Sequence, residues 1–327
     1  MALSADLRDQ LTLPAVCAPM FLCSCVDLAV ACCKAGIVGS LTRNNCRDLE
    51  GLEADLKAVT GQLARFADNC PGAKIGPLAV NIEPKYSDDE LRAHIELCHR
   101  YDVKIIITSV GNPTKIAPFI KDVGILHFHD ATTIRFAEKA VDAGVDGLIA
   151  IGSGGGGHAG TISHLALIPQ LRQMFDGTIV FAGAVSTGAV IRAAEILGAD
   201  LAYMGTRFIA TSEAGAPDAY KKMLVEGGVS DVIYTRGVNG LPASWLKSSI
   251  REIGLDPDNL PAPEGRTIDH LPRGKTPWRD IWSGGQGIQL IDDIPSVAEL
   301  VARLQAEYIE ACAVPDMSAQ ARAALQR

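Results

Sequence analysis

No apolar run in this chain approaches the roughly 20 residues a helix needs to cross a bilayer, which removes helical integral-membrane classes. Basic clusters are missing too. The formal charge is −8, with lysine and arginine scattered among more numerous acids. That balance argues against a nucleic-acid surface or an anionic-lipid patch. The opening MALSADLRDQLTLP has acidic residues and no basic stretch ahead of an apolar one, so no signal peptide is expected. The seven histidines show neither H-x3-H nor H-E-x2-H spacing. Five of the nine cysteines fall in Cys17–Cys33, but their order, C-x5-C-x-C-x6-CC, matches no zinc or iron–sulfur pattern. No metal is expected, and a reducing cytoplasm is the simplest home for so many thiols. Aromatics amount to only 5%, so each tryptophan is worth locating.

What the chain does have is apolar residues (48%) and 32 glycines, enough for a sizeable core with many tight turns. A short β-branched run, a small-residue turn and an amphipathic stretch recur along it. The strands expected are 15–20, 36–41, 75–82, 103–110, 124–131, 146–152, 178–185 and 201–208, with helix-like stretches between them. Alternation of this kind predicts a parallel sheet, and eight units predict a (β/α)8 TIM barrel; a doubly wound open sheet is the alternative. Residues 211–282, proline-rich and without a strand pattern, interrupt the eighth unit before an amphipathic helix at 296–313 completes it. The organisation expected is a barrel of 1–210 plus 283–327, with 211–282 an inserted lid at the catalytic face.

Residues 152–160 read GSGGGGHAG. Placed after strand 6, this loop lies at the C-terminal face, where barrel enzymes carry their reactive groups. Glycines let backbone N–H groups converge on an anion, and the loops FAGAVSTG and MGTRF after strands 7 and 8 reach the same face. A phosphate-bearing ligand is the reading; turns needed only for packing are the competing one. His158 at the rim is the candidate acid–base, because imidazole titrates near neutrality. His127 and His129 alternate in strand 5 and should face one side, with His129 and Asp130 at the strand end as supporting groups. His164 reads as a surface or capping residue, and Trp245, Trp278 and Trp282 as either pocket walls or core.

Taken together, APM at 18–20, LAVN at 78–81, GGGGHAG, AGAVSTG, GADLAYMGTRF and IWSGGQGIQLIDD resemble the nitronate monooxygenase family, over most of the chain. The resemblance implies an FMN-dependent barrel that oxidises alkyl nitronates or nitroalkanes with O2 to carbonyl compounds and nitrite. It implies that FMN phosphate rests on Ala182–Gly183 and Gly205–Thr206, with Gly156 and Gly157 nearby. Ala18, Pro19, Met20 and the Asn81 side chain would meet the ring or ribityl chain, and Ser283, Gly284 and Gln286 would cover the ring. The family's catalytic histidine corresponds to His158. One departure is Asp130, which stands where related NADH:quinone reductases carry a lysine. The alternative function is NAD(P)H-dependent reduction of quinones or enoyl thioesters. The partners implied are a small-molecule substrate and O2, and the oligomeric state is open between monomer and homodimer.

Overall fold

The computed structural model describes residues 3–325. Eight parallel strands run β1 (Ala15–Cys17), β2 (Gly39–Thr42), β3 (Leu78–Asn81), β4 (Ile105–Thr108), β5 (Leu126–Ala131), β6 (Gly147–Ile151), β7 (Thr178–Ala182) and β8 (Leu201–Met204). Consecutive strands pair from β2 to β8, and β8 pairs with β1. A parallel bridge between Val16 and Val38, with N–H bonds of 2.9 and 3.0 Å, joins β1 to the entry of β2 and closes the barrel.

Alternation along the strands sorts the core into two shells. Val16, Val38, Ala79, Ile107, Phe128, Ile149, Val180 and Leu201 fill the interior. Leu3, Leu7 and Leu11, in and around α1 (Ala5–Gln10), join that cluster and cap one end of the barrel. Residues of opposite parity, such as Val80, Ile106, Leu148 and Ile179, pack outward against the helices.

The helical wall comprises α2 (Val26–Lys34), α3 (Leu49–Asn69), α4 (Asp88–Arg100), α5 (Ala117–Val123), α6 (Ile134–Asp142), α7 (His164–Met174) and α8 (Gly188–Leu197), one after each of β1 to β7. After β8 comes only the single turn α9 (Thr206–Ile209). It is followed by α10 (Asp218–Glu226), an antiparallel hairpin β9 (Val232–Thr235) and β10 (Ala243–Leu246), and α11 (Lys247–Glu252). The hairpin is a departure from the sequence expectation of no strand in 211–282. Helix α12 (Val297–Cys312), opened by a Ser296–Glu299 capping box, then packs on α8 and α2 and fills the eighth place in the wall. A short α13 (Ser318–Leu325) follows. No helix among the described residues is long and apolar enough to cross a membrane.

Candidate active site

The inward parity that fills the barrel continues to the C-terminal ends of the strands. It puts Ala18, Asn81, Asp130, Ile151, Ala182 and Tyr203 in the last interior layer, the floor of the mouth. Asn81 is fully engaged there. Its amide nitrogen donates to the Ile107 carbonyl and Ser109 Oγ, each at 3.1 Å, and its oxygen accepts from Thr42 Oγ1 at 3.2 Å. Asp130 is the opposite case: its Oδ1 is shielded from water and has no hydrogen-bond partner. Burial pushes its carboxyl up to about 7.

Above the floor, three loops and the segment returning from 211–282 converge. The Gly285 N–H donates to Thr206 Oγ1 at 3.0 Å, and the Gln286 N–H to the Gly154 carbonyl at 2.8 Å. Ser186 Oγ donates to the Gly287 carbonyl at 2.9 Å, and Tyr220 holds the Ser283 carbonyl at 2.7 Å while stacking on Trp282. A Cβ at Gly156 would lie 3.0 Å from the Gly285 nitrogen and 3.1 Å from Thr206 Oγ1, so a side chain there would require its neighbours to give by a few tenths of an ångström. Gly183 has φ +139°, and its Cβ would meet the His164 ring at 2.8 Å. At Gly205 a Cβ would make only ordinary contacts, 3.6 Å to Met20 Sδ and 3.7 Å to Ala18 Cβ, so the β1 and β8 turns lie side by side there. The structure therefore brings Gly156, Thr206 and Gln286 together, and Ala18 and Met20 beside Gly205. Asn81 stands apart on β3, on the floor, with its polar atoms already satisfied.

His158 is half-buried on the glycine loop. Its Nδ1 lies 3.3 Å from the Pro242 carbonyl oxygen, and Trp278 meets it edge-on with centroids 5.5 Å apart. A carbonyl only accepts, so Nδ1 carries the proton and Nε2 keeps its lone pair. Burial lowers the His158 pKa below 6.5, only partly opposed by that bond. The hairpin arranges this: the Ser244 N–H donates to the Gly157 carbonyl at 2.8 Å, and Tyr234 Oη donates to the Ala159 carbonyl at 2.9 Å. Trp278, one of the tryptophans expected as wall or core, lies at the site beside His158. Pro242 and Tyr234 had no signal in the sequence, because a carbonyl or hydroxyl from a distant loop leaves no spacing to read.

His127, His129 and His164 are buried and held by the protein itself. His127 and His129 share one side, as expected, but it is the outer one. Thr108 Oγ1 bridges them, 2.8 Å from His127 Nε2 and 2.7 Å from His129 Nδ1, and burial lowers them to about 3 and about 4. His164 is buried rather than at the surface: its Nε2 is 2.8 Å from the Ala182 carbonyl oxygen, and its ring stacks on Phe181 at 4.0 Å. Trp245 is core, fully buried behind Trp278. Burial pushes the Cys23 and Cys33 thiols up to about 12, which leaves them poor nucleophiles. Among the described residues, no group of three potential ligands could hold a metal ion.

A solved structure shares this architecture, and curated relatives match the sequence. The nitroalkane oxidase of Streptomyces ansochromogenes superposes with a TM-score of 0.76 at 26% identity, over 95% of this chain and all of its own (100%). A probable nitronate monooxygenase of Staphylococcus saprophyticus is 30% identical over 210 residues, 58% of this chain and 59% of its own length. The (3aS,4S,5R,7aS)-5-hydroxy-7a-methyl-1-oxo-octahydro-1H-indene-4-carboxyl-CoA dehydrogenase of Mycobacterium tuberculosis is 27% identical over 205 residues, 62% of this chain and 57% of its own length. The chain thus spans little more than half the length of these two curated relatives. The profile of the nitronate monooxygenase family matches residues 7–307, from within α1 to within α12, and the chain therefore belongs to that family, a family of oxidoreductases.

Proposed function

We propose that the protein oxidises alkyl nitronates or nitroalkanes with O2 to carbonyl compounds and nitrite, using FMN held at the barrel mouth. The observation that carries this reading is His158: a neutral imidazole with Nδ1 committed to Pro242 and Nε2 left as the proton acceptor. Family membership and the likeness to a nitroalkane oxidase support it.

The residues present fit a flavin phosphate. Gly156 sits where a Cβ would be tight, Gly183 where one would collide with the His164 ring, and Gly205 where a Cβ would make only ordinary contacts, so backbone rather than side chains faces the cradle. In this reading, Gly156, Gly157, Ala182–Gly183 and Gly205–Thr206 cradle the phosphate. Ala18, Pro19, Met20 and Asn81 line the ring or ribityl chain, and Ser283, Gly284 and Gln286 cover it. FMN, when bound, supplies the electron acceptor for the substrate carbon. His158 Nε2 takes the proton from a neutral nitroalkane, or orients a nitronate that arrives already deprotonated. Residues 211–282 act as the lid over the barrel formed by 1–210 and 283–327: their hairpin fixes the His158 loop and limits access of water. The partners are a small-molecule substrate and O2, in the cytoplasm, with the chain acting alone or as a homodimer.

A second reading, NAD(P)H-dependent reduction of quinones or enoyl thioesters, is favoured by one observation, the similarity to a carboxyl-CoA dehydrogenase. Anaerobic visible spectra of the FMN-loaded protein separate the two. Bleaching by an alkyl nitronate and not by NADH or NADPH is expected; bleaching by a nicotinamide alone would transfer the protein to the reductases.

A further inference from the structure

The floor of the mouth holds two polar side chains with contrasting circumstances. Every hydrogen of the Asn81 amide is used inside the protein. Asp130, on the neighbouring interior parity of β5, has a carboxylate oxygen with neither water nor a protein donor. Asp130 as a whole is half-buried, but an oxygen shielded in this way is costly unless the carboxyl is neutral or a donor arrives to meet it. Its surroundings offer no rescue. Phe128 lies below it on β5, and Ile149, its register partner on β6, and Ile151 are apolar. β4 contributes Ser109 beyond its end, and β3 contributes the engaged Asn81. Across the barrel, Tyr203 on β8 is the ionisable group that feels Asp130: burial first, then the charges of Asp130 and Cys17, hold its phenol neutral. His127 and His129, on the same strand, point outward to Thr108.

We propose that Asp130 is the floor group that meets the polar edge of the bound flavin and, by holding or releasing its proton, sets how easily that flavin is reduced. This rests on the FMN reading above and deepens it. Two electrons and one proton from substrate or reductant leave the cofactor one negative charge richer. An ionised Asp130 beside that charge then draws one proton from solvent, so two electrons and two protons are taken up. A neutral Asp130 donates a hydrogen bond instead and takes up nothing more. Burial holds this carboxyl near neutrality, so the exchange falls in the working pH range.

The test is the midpoint potential of the FMN-loaded full chain, titrated anaerobically with dithionite and reference dyes from pH 5.5 to 9, for the wild type and Asp130→Asn. The two curves are expected to coincide below about pH 6. Above about pH 7 the wild-type potential should fall more steeply and lie lower, because only it carries the nearby charge. Should the variant fail to fold, Asp130→Ser serves the same comparison. Parallel curves in two FMN-loaded proteins would overturn the role of Asp130 and leave the cofactor reading intact. Failure of the wild type to retain FMN through gel filtration would overturn both.

Discussion

His158 and Pro242, 84 residues apart in the chain, are joined by a contact of 3.3 Å from imidazole Nδ1 to carbonyl oxygen. One ring nitrogen is thereby spent on orientation and the other keeps its lone pair. His158→Ala is expected to keep its flavin and lose about 10²–10⁴-fold in turnover of a neutral nitroalkane, with a smaller loss on the preformed nitronate. Steady-state rates on the matched pair of substrates check this, and equal losses on both would remove His158 as the base.

The pH profile follows from the same ring. Activity on the neutral substrate needs the unprotonated imidazole, and burial lowers its pKa. The rate on the neutral substrate should therefore be lost as pH falls, with its midpoint below 6.5. A midpoint above 6.5 in kcat/KM would contradict the buried, Pro242-bound geometry.

Gly205→Val tests the phosphate cradle. The protein itself leaves room for a Cβ here, with ordinary contacts to Met20 and Ala18. The variant is expected to melt within a few degrees of the wild type yet purify with much less flavin. Absorbance at the flavin band per chain, beside a thermal melt, reads both. Full loading would move the phosphate elsewhere.

Much of the site is legible in the sequence alone. The eight strands, the break after the eighth and the helix that resumes at 296 were legible because each unit repeats one physical pattern. Strand ends were not. APM after β1 and GAV after β7 continue the small, apolar composition while their backbones have left the ladder. The β9–β10 hairpin was missed because VIYT and ASWL do not alternate and are separated by RGVNGLP, which reads as loop. His164 stands in the polar stretch TISH; nothing local reveals that Phe181, from β7, stacks on it. His129 and Asp130 looked like one feature, but adjacent strand residues face opposite sides, so one braces the wall and the other looks into the mouth.

Acid should unfold this protein earlier than its carboxylates alone would cause. His127 and His129 are buried neutral, with pKa values of about 3 and about 4 against 6.5 unfolded. The unfolded chain therefore binds more protons, and stability falls as pH drops from about 6.5 toward 4, by up to about 1.4 kcal/mol per pH unit for each histidine. Urea midpoints measured across that window should decline more steeply in the wild type than in His127→Gln. Identical slopes would mean the pair is not buried neutral.

Trp278→Ala removes the ring that flanks His158 and covers Trp245. For a half-buried ring the loss should be about 1–3 kcal/mol. KM should rise as His158 gains freedom, which Trp278→Phe should largely restore. Denaturant titration and kinetics of the two variants separate packing from positioning.

The loop of residues 153–157 does not close the mouth by itself: Gly285 and Gln286 complete it through Thr206 and Gly154. On a ribosome, the first eight strands can emerge and pair long before those two residues exist. If FMN binds here as proposed, its capture would be a late event in the life of the chain, dependent on everything between 211 and 282 having found its place. On the FMN reading, loading would then require the segment up to Gln286 as well as a closed barrel, and a chain that closed its barrel without that segment would stay colourless.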